Sequence, residues 1–123
     1  GKPEYWKLRE QIIKYVGSKY NTKEEHPWRK YPDYVVLRHS DNKKWYALIM
    51  NVLKYRLGLT GNDEVDVINV KCPSVMIGNL RQSVGYLPAY HMNKDSWISI
   101  VLDGTVPMKE ICDLIDQSYS LTH

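Results

Sequence analysis

Leu8, Ile12 and Val16 recur four positions apart, with Tyr5 and Tyr15 beside them and Pro3 suited to a first helical position. This spacing predicts an amphipathic helix over about residues 4 to 20, ending near Tyr20-Asn21. Lys7, Arg9, Lys14 and Lys19 then fall mostly on its wet side. Tyr34 to Arg38 is rich in strand formers, and His39 to Lys43 supplies turn formers. Lys44 to Met50 runs back, which together predicts a β-hairpin. Strict alternation places Trp45, Ala47 and Ile49 on one face and Tyr46, Leu48 and Met50 on the other. Both faces are apolar, so helices should cover one and loops part of the other. Gly58 and Gly61 mark turns before a third strand over Val65 to Val70. Pro73 opens a short helix through about Gln82, with Met76, Ile77 and Leu80 on its apolar side, and Gly85 ends that unit. Trp97 to Leu102 alternates Ile98, Ile100 and Leu102 against Trp97, Ser99 and Val101. Asp103-Gly104 is a turn, and after Pro107 a last helix carries Ile111, Leu114, Ile115, Ser118 and Tyr119 in helical register. The order α-β-β-(β)-β-α-β-α reads as an α+β fold, an antiparallel sheet with helices packed on one face. Leu8, Ile12, Val16, Ile49, Ile111, Leu114 and Ile115 should share one core.

Composition narrows this picture. The 123 residues fit one domain, and 43% apolar with 25% charged content is ordinary for a globular chain. The longest apolar runs, such as Tyr46 to Met50, are too short to span a bilayer, and nothing resembles a signal peptide. No membrane association is expected, and a cytoplasmic location is. Cys72 and Cys112 belong to no CxxC pair and read as reduced, buried thiols. Charge divides along the chain: residues 1–60 hold 13 Lys and Arg against 6 Asp and Glu, whereas residues 61–123 hold 4 against 8. A basic half and an acidic half follow, and the basic half is compatible with a polyanionic partner or with solvated helix faces.

No catalytic arrangement stands out. His26, His39, His91 and His123 lack ligand spacing, though they can still meet in space; no metal, cofactor or catalytic residue is expected. Glu110, Asp113 and Asp116 share a side of the last helix and read as a solvated face, and Asp63, Glu64 and Asp66 as a loop and strand edge. Arg38, His39, Asn42, Lys43 and Lys44 surround the hairpin tip. They either neutralise phosphates or keep the turn soluble and blunt the sheet edge. His26 to Pro32 interleaves aromatics with cations, as a stacking surface would, or as a loop pinned to the sheet by Trp28 and Tyr31 would. The densest polar chemistry lies in Tyr90-His91-Met92-Asn93-Lys94-Asp95-Ser96-Trp97. In an extended backbone Tyr90 and Met92 would face inward, leaving His91 and Asn93 outward.

Several of these segments together resemble the MmcQ/YjbR family of small bacterial proteins. They are Pro27 to Tyr34, His39 with Asp41 to Ala47, Asn69 to Cys72, Tyr90 to Lys94 followed by Trp97, and Leu102-Asp103-Gly104 leading to Ser118-Tyr119. The resemblance implies a frataxin-like α+β arrangement and a DNA-binding protein with a double-wing motif, one wing tip matching Arg38 to Lys44. The chain departs from the family in having no Phe. The function expected from residues and resemblance is non-enzymatic DNA binding. Arg38, Asn42, Lys43 and Lys44 would contact duplex phosphates, and Lys71, His91, Asn93 and Lys94 would form a second polar patch. Its rivals are a pocket in which His91, Asn93 and Lys94 hold a small anion, and a protein-interaction module. Nothing in the sequence fixes an oligomeric state.

Overall fold

The computed structural model describes residues 6–123. Helix α1 (Lys7–Tyr20) is followed by β1 (Val35–Arg38), β2 (Trp45–Leu53), β3 (Glu64–Lys71), α2 (Ser74–Leu80), β4 (Tyr86–Pro88), β5 (Trp97–Val101) and α3 (Met108–Thr122). The expected helix start at Pro3 to Tyr5 lies outside the described residues. Its end is where the sequence places it: Asn21 adopts a left-handed conformation, and its N–H and that of Thr22 reach back to the carbonyls of Gly17 and Val16.

The five strands form one antiparallel sheet in the order β1-β2-β3-β5-β4. Ile12 and Val16 of α1 and Ile111, Leu114 and Ile115 of α3 pack over Val35, Leu37, Ala47, Ile49, Ile68, Val70, Ile98 and Ile100 in one core, with Leu8 half-buried at its margin. The opposite face buries Val36, Leu48, Met50, Val52, Val65, Val67 and Val101 beneath loop residues, among them Trp28, Tyr34, Leu57, Tyr90 and Met92. Helices thus cover one face and loops the other. A residue–residue bridge between Glu25 and Val36, with N–H···O distances of 2.9 and 3.2 Å, lays the loop after α1 along the outer edge of β1.

Four expectations are corrected. Leu37 pairs with Ala47 but Arg38 pairs with Trp45, so Tyr46 is the extra residue of a β-bulge. The bulge reverses alternation at that point: Tyr46 turns to the helix side and donates to Thr22 Oγ1 at 2.7 Å, while Trp45 packs on the loop side. Second, the strand count differs. Lys54–Leu57 is a 3-10 turn, and β4 follows α2, giving α-β-β-β-α-β-β-α. Three residues ending in Pro88 are too few to show a period.

Third, Arg9 is not on the wet side. It is buried and grips Asp66, itself fully buried in β3, through two hydrogen bonds of 2.7 and 2.8 Å, with Asn51 and the Asp33 carbonyl completing the cluster. A buried charge requires such a partner. Fourth, the acids of α3 are not simply solvated. Asp116 accepts from Tyr15, Lys19 and Tyr20 of α1, and Glu110 accepts a short hydrogen bond from Tyr86.

Candidate functional site

The hairpin tip is closed by His39 N–H to the Lys44 carbonyl (2.9 Å) and Lys43 N–H to the His39 carbonyl (3.2 Å), with Lys43 at a positive φ of 65°. Asp41 Oδ1 accepts from the Asn42 N–H and Asn42 Oδ1 from the Lys44 N–H, local bonds typical of such residues in turns. The tip is not a free finger. Asn42 Nδ2 donates to the Thr122 carbonyl at 3.0 Å, and His39 Nε2 lies 2.8 Å from Thr122 Oγ1, so the tip supplies donors to a helix C-terminus that lacks them. Burial, then the neighbouring His123 ring, push the His39 imidazole below its ordinary value. Arg38 is held by Glu25 at 2.7 Å. Arg38 and Asn42 are thus tied to neighbouring segments, and Lys43 and Lys44 are exposed cations of the tip.

The second predicted patch is built differently. Tyr90 and Met92 are half-buried, and His91, Asn93 and Lys94 are exposed. The inward and outward alternation holds, but through a turn in which His91 has a φ of 58°, a conformation costly for any residue with a Cβ. Asn69 and Ser99, cross-strand partners in β3 and β5, hold it: Asn69 Nδ2 donates to the Tyr90 carbonyl and Ser99 Oγ accepts from the Tyr90 N–H, both at 2.9 Å. Ser99 in turn donates a short hydrogen bond to Asn69 Oδ1. Asn93 closes the next turn, its Oδ1 accepting from the Asp95 N–H and its carbonyl from the Trp97 N–H. His91 and Lys94 remain exposed, with the His91 ring edge-on to Tyr90 at 4.0 Å.

Two hollows lie on the loop-covered side. One, of about 260 Å³, is aromatic and apolar, walled by Trp28, Tyr31, Tyr34, Trp45, Met92 and His91 over Leu48 and Met50. Trp28 meets Trp45 edge-on at 5.6 Å, Tyr31 stacks on Tyr34 at 4.7 Å, and Tyr31 remains 51% exposed. Trp28 thus pins the loop while Tyr31 presents a ring to solvent. The other hollow, of about 340 Å³, is bordered by Arg56, Tyr90, His91 and Lys94 over Leu57, Leu87 and Pro88. The neighbouring Tyr55, then Tyr90, push the Arg56 guanidinium further up, and its Cζ lies 5.8 Å from the centre of the Tyr55 ring. His91 borders both hollows.

Sequence reasoning missed Arg56, Asn69 and Ser99. Asn69, a polar residue inside an apolar strand, was a readable signal; Arg56 was not, because the 3-10 turn folds it back beneath the sheet. Arg38 and Lys43 border a separate concavity of about 450 Å³ with Glu25, His39 and Tyr119. Lys44, Lys71 and Asn93 border neither hollow of the loop side. The structure does bring the cationic loops to one end of the sheet, since Arg38 pairs with Trp45 and Lys71 with Trp97, placing Lys43, Lys44, Lys71 and Lys94 at that end.

Among the described residues no helix is long and apolar enough to cross a membrane. A 54% identical relative, the uncharacterized protein YyaQ of Bacillus subtilis (strain 168), aligns over 114 residues, 93% of this chain and 97% of the relative. A crystal structure of a Pseudomonas syringae protein superposes with a TM-score of 0.91 at 50% identity, covering 94% of this chain and 98% of that one. A Deinococcus radiodurans protein superposes with a TM-score of 0.61 at 26% identity, over 81% of this chain and 67% of that one. The family model described as YjbR matches residues 17–121, and this chain belongs to that family.

Proposed function

We propose that this domain is a non-enzymatic nucleic-acid-binding protein that takes an unpaired stretch of strand across its loop-covered face. The observation that carries this reading is the meeting of an aromatic hollow and a cationic hollow at His91. A base needs a π surface, where stacking contributes about 1–3 kcal/mol per base, and the adjoining phosphate needs cations. Each hollow lies near or below the roughly 300–1,000 Å³ of a drug-sized ligand site, which suits one ring and one phosphate. Lys43, Lys44, Lys71 and Lys94 at one end of the sheet add a field that steers a polyanion. The free thiols Cys72 and Cys112 fit a reducing, cytoplasmic setting.

The test is a tryptophan-fluorescence titration with a single-stranded oligonucleotide and its duplex over a range of salt. Single strand should bind more tightly than duplex and quench Trp28 and Trp45. Losing two phosphate contacts in Arg56→Ala/Lys94→Ala should flatten the slope of log K against log salt by about 1.4, at roughly 0.7 per contact. No binding of either form at low salt sinks the reading. A preference for duplex that Lys43→Ala/Lys44→Ala removes would return the site to the hairpin, and a mononucleotide binding as tightly as the oligonucleotide would make it a small-anion pocket.

A further inference from the structure

His39 and His123 are remote in sequence, yet their rings lie 5.1 Å apart, and His123 Nε2 is 3.1 Å from Asp41 Oδ2. His39, Asp41 and His123 each offer a ligand atom within 4.8 Å of the others. The His39 ring is buried, and its Nδ1 has no hydrogen-bond partner, an uncommon state for a buried polar atom. Its tautomer is set by Thr122, whose hydroxyl donates to the Ser118 carbonyl at 2.8 Å and so accepts from His39 Nε2–H. Nδ1 is left with a bare lone pair. A second-sphere hydrogen bond on one ring nitrogen, with the other free, is the usual setting of a metal-binding histidine.

We propose that His39 Nδ1, Asp41 and His123 bind a single borderline transition-metal ion of the zinc or cobalt type. With bonds of about 2.0–2.1 Å, ligand atoms of a tetrahedral site lie about 3.3 Å apart, and one ring nitrogen of each histidine already lies within 4.8 Å of the other and of an Asp41 carboxylate oxygen. Asp41 and His123 are exposed and already meet at 3.1 Å, while His39 is held by the hairpin and Thr122. Two imidazoles with one carboxylate favour such an ion over magnesium or calcium, which take oxygen sets. None of the three residues borders the loop-side hollows, so the site is independent of the proposed nucleic-acid face.

Chelator-treated protein titrated with Zn²⁺ and Co²⁺ should bind one ion per chain, with visible Co²⁺ absorption and a rise in Tm. His123→Ala and Asp41→Asn, both at exposed positions, should each weaken Zn²⁺ binding at least tenfold. His26→Ala, which removes the exposed histidine beside Glu24, should leave it unchanged. In ¹⁵N spectra the His39 Nδ1 resonance should move on Zn²⁺ addition while Nε2 keeps its proton. Absence of stoichiometric binding at micromolar metal would overturn the assignment. So would binding retained in both His123→Ala and Asp41→Asn, binding lost in His26→Ala, or binding that leaves the His39 Nδ1 resonance in place.

Discussion

The bidentate contact of Arg9 with Asp66 joins α1 to the centre of the sheet, and both side chains are buried. Removing one partner leaves the other charge without compensation in a dry site. Arg9→Ala should therefore cost about 3–5 kcal/mol in chemical denaturation, whereas Arg9→Met combined with Asp66→Leu should recover most of it. Neither residue was legible as buried, because pattern reading places charged side chains outward and Asp66 lies 57 positions away. His91 makes the complementary case. Its left-handed backbone is a position where glycine carries no steric cost, so His91→Gly should hold or raise Tm while weakening oligonucleotide binding. A large loss of stability in that variant would make the ring a packing element. The outward direction of His91 was legible from alternation; the turn that achieves it was not, since it depends on Asn69 and Ser99 meeting across two strands.

At the scale of elements, α1 and α3 are fastened by Asp116. Burial works to raise its carboxyl, but hydrogen bonds from Lys19, Tyr20 and Tyr15 outweigh it and leave the group below its usual value. A depressed carboxylate contributes stability that is fully present above its unfolded value, near 3.9, and is lost as pH falls through the folded value. Asp116→Asn should lower Tm at neutral pH and narrow the gap to the parent under acid, followed by circular dichroism. The helices, the hairpin and the α3 stripe were legible because their periods run over two or more turns or four or more strand positions. The bulge was not, because Trp45 and Tyr46 are both aromatic and either order satisfies an apolar pattern. The bonds of the hairpin tip to Thr122 were equally hidden, since they join segments remote in sequence.

Over the whole molecule the helix-side core is the larger, with more buried residues than the loop-side core, which irregular segments close with half-buried side chains. Opening the loop side should need far less energy than global unfolding. Amide exchange should be slowest in β2 and β3 and fast over residues 54–63 and 89–96, with nucleic acid slowing the second segment. Uniform protection across both would show that the loops and sheet open as one unit. The division of charge along the sequence was legible and has a partial spatial counterpart in the lysines at one end of the sheet. The paired hollows were not legible, because their walls come from four separated segments that share no period.

The two margins of the sheet bear on how copies of this chain meet. β1 is only four residues long, and the Glu25 bridge already occupies the outward N–H and C=O of Val36. At the other margin β4 stops on Pro88, which has no N–H to offer a newcomer. An incoming strand finds neither side open for ladder growth, so fibril-like stacking is resisted from the native state, and copies that associate must do so through a face.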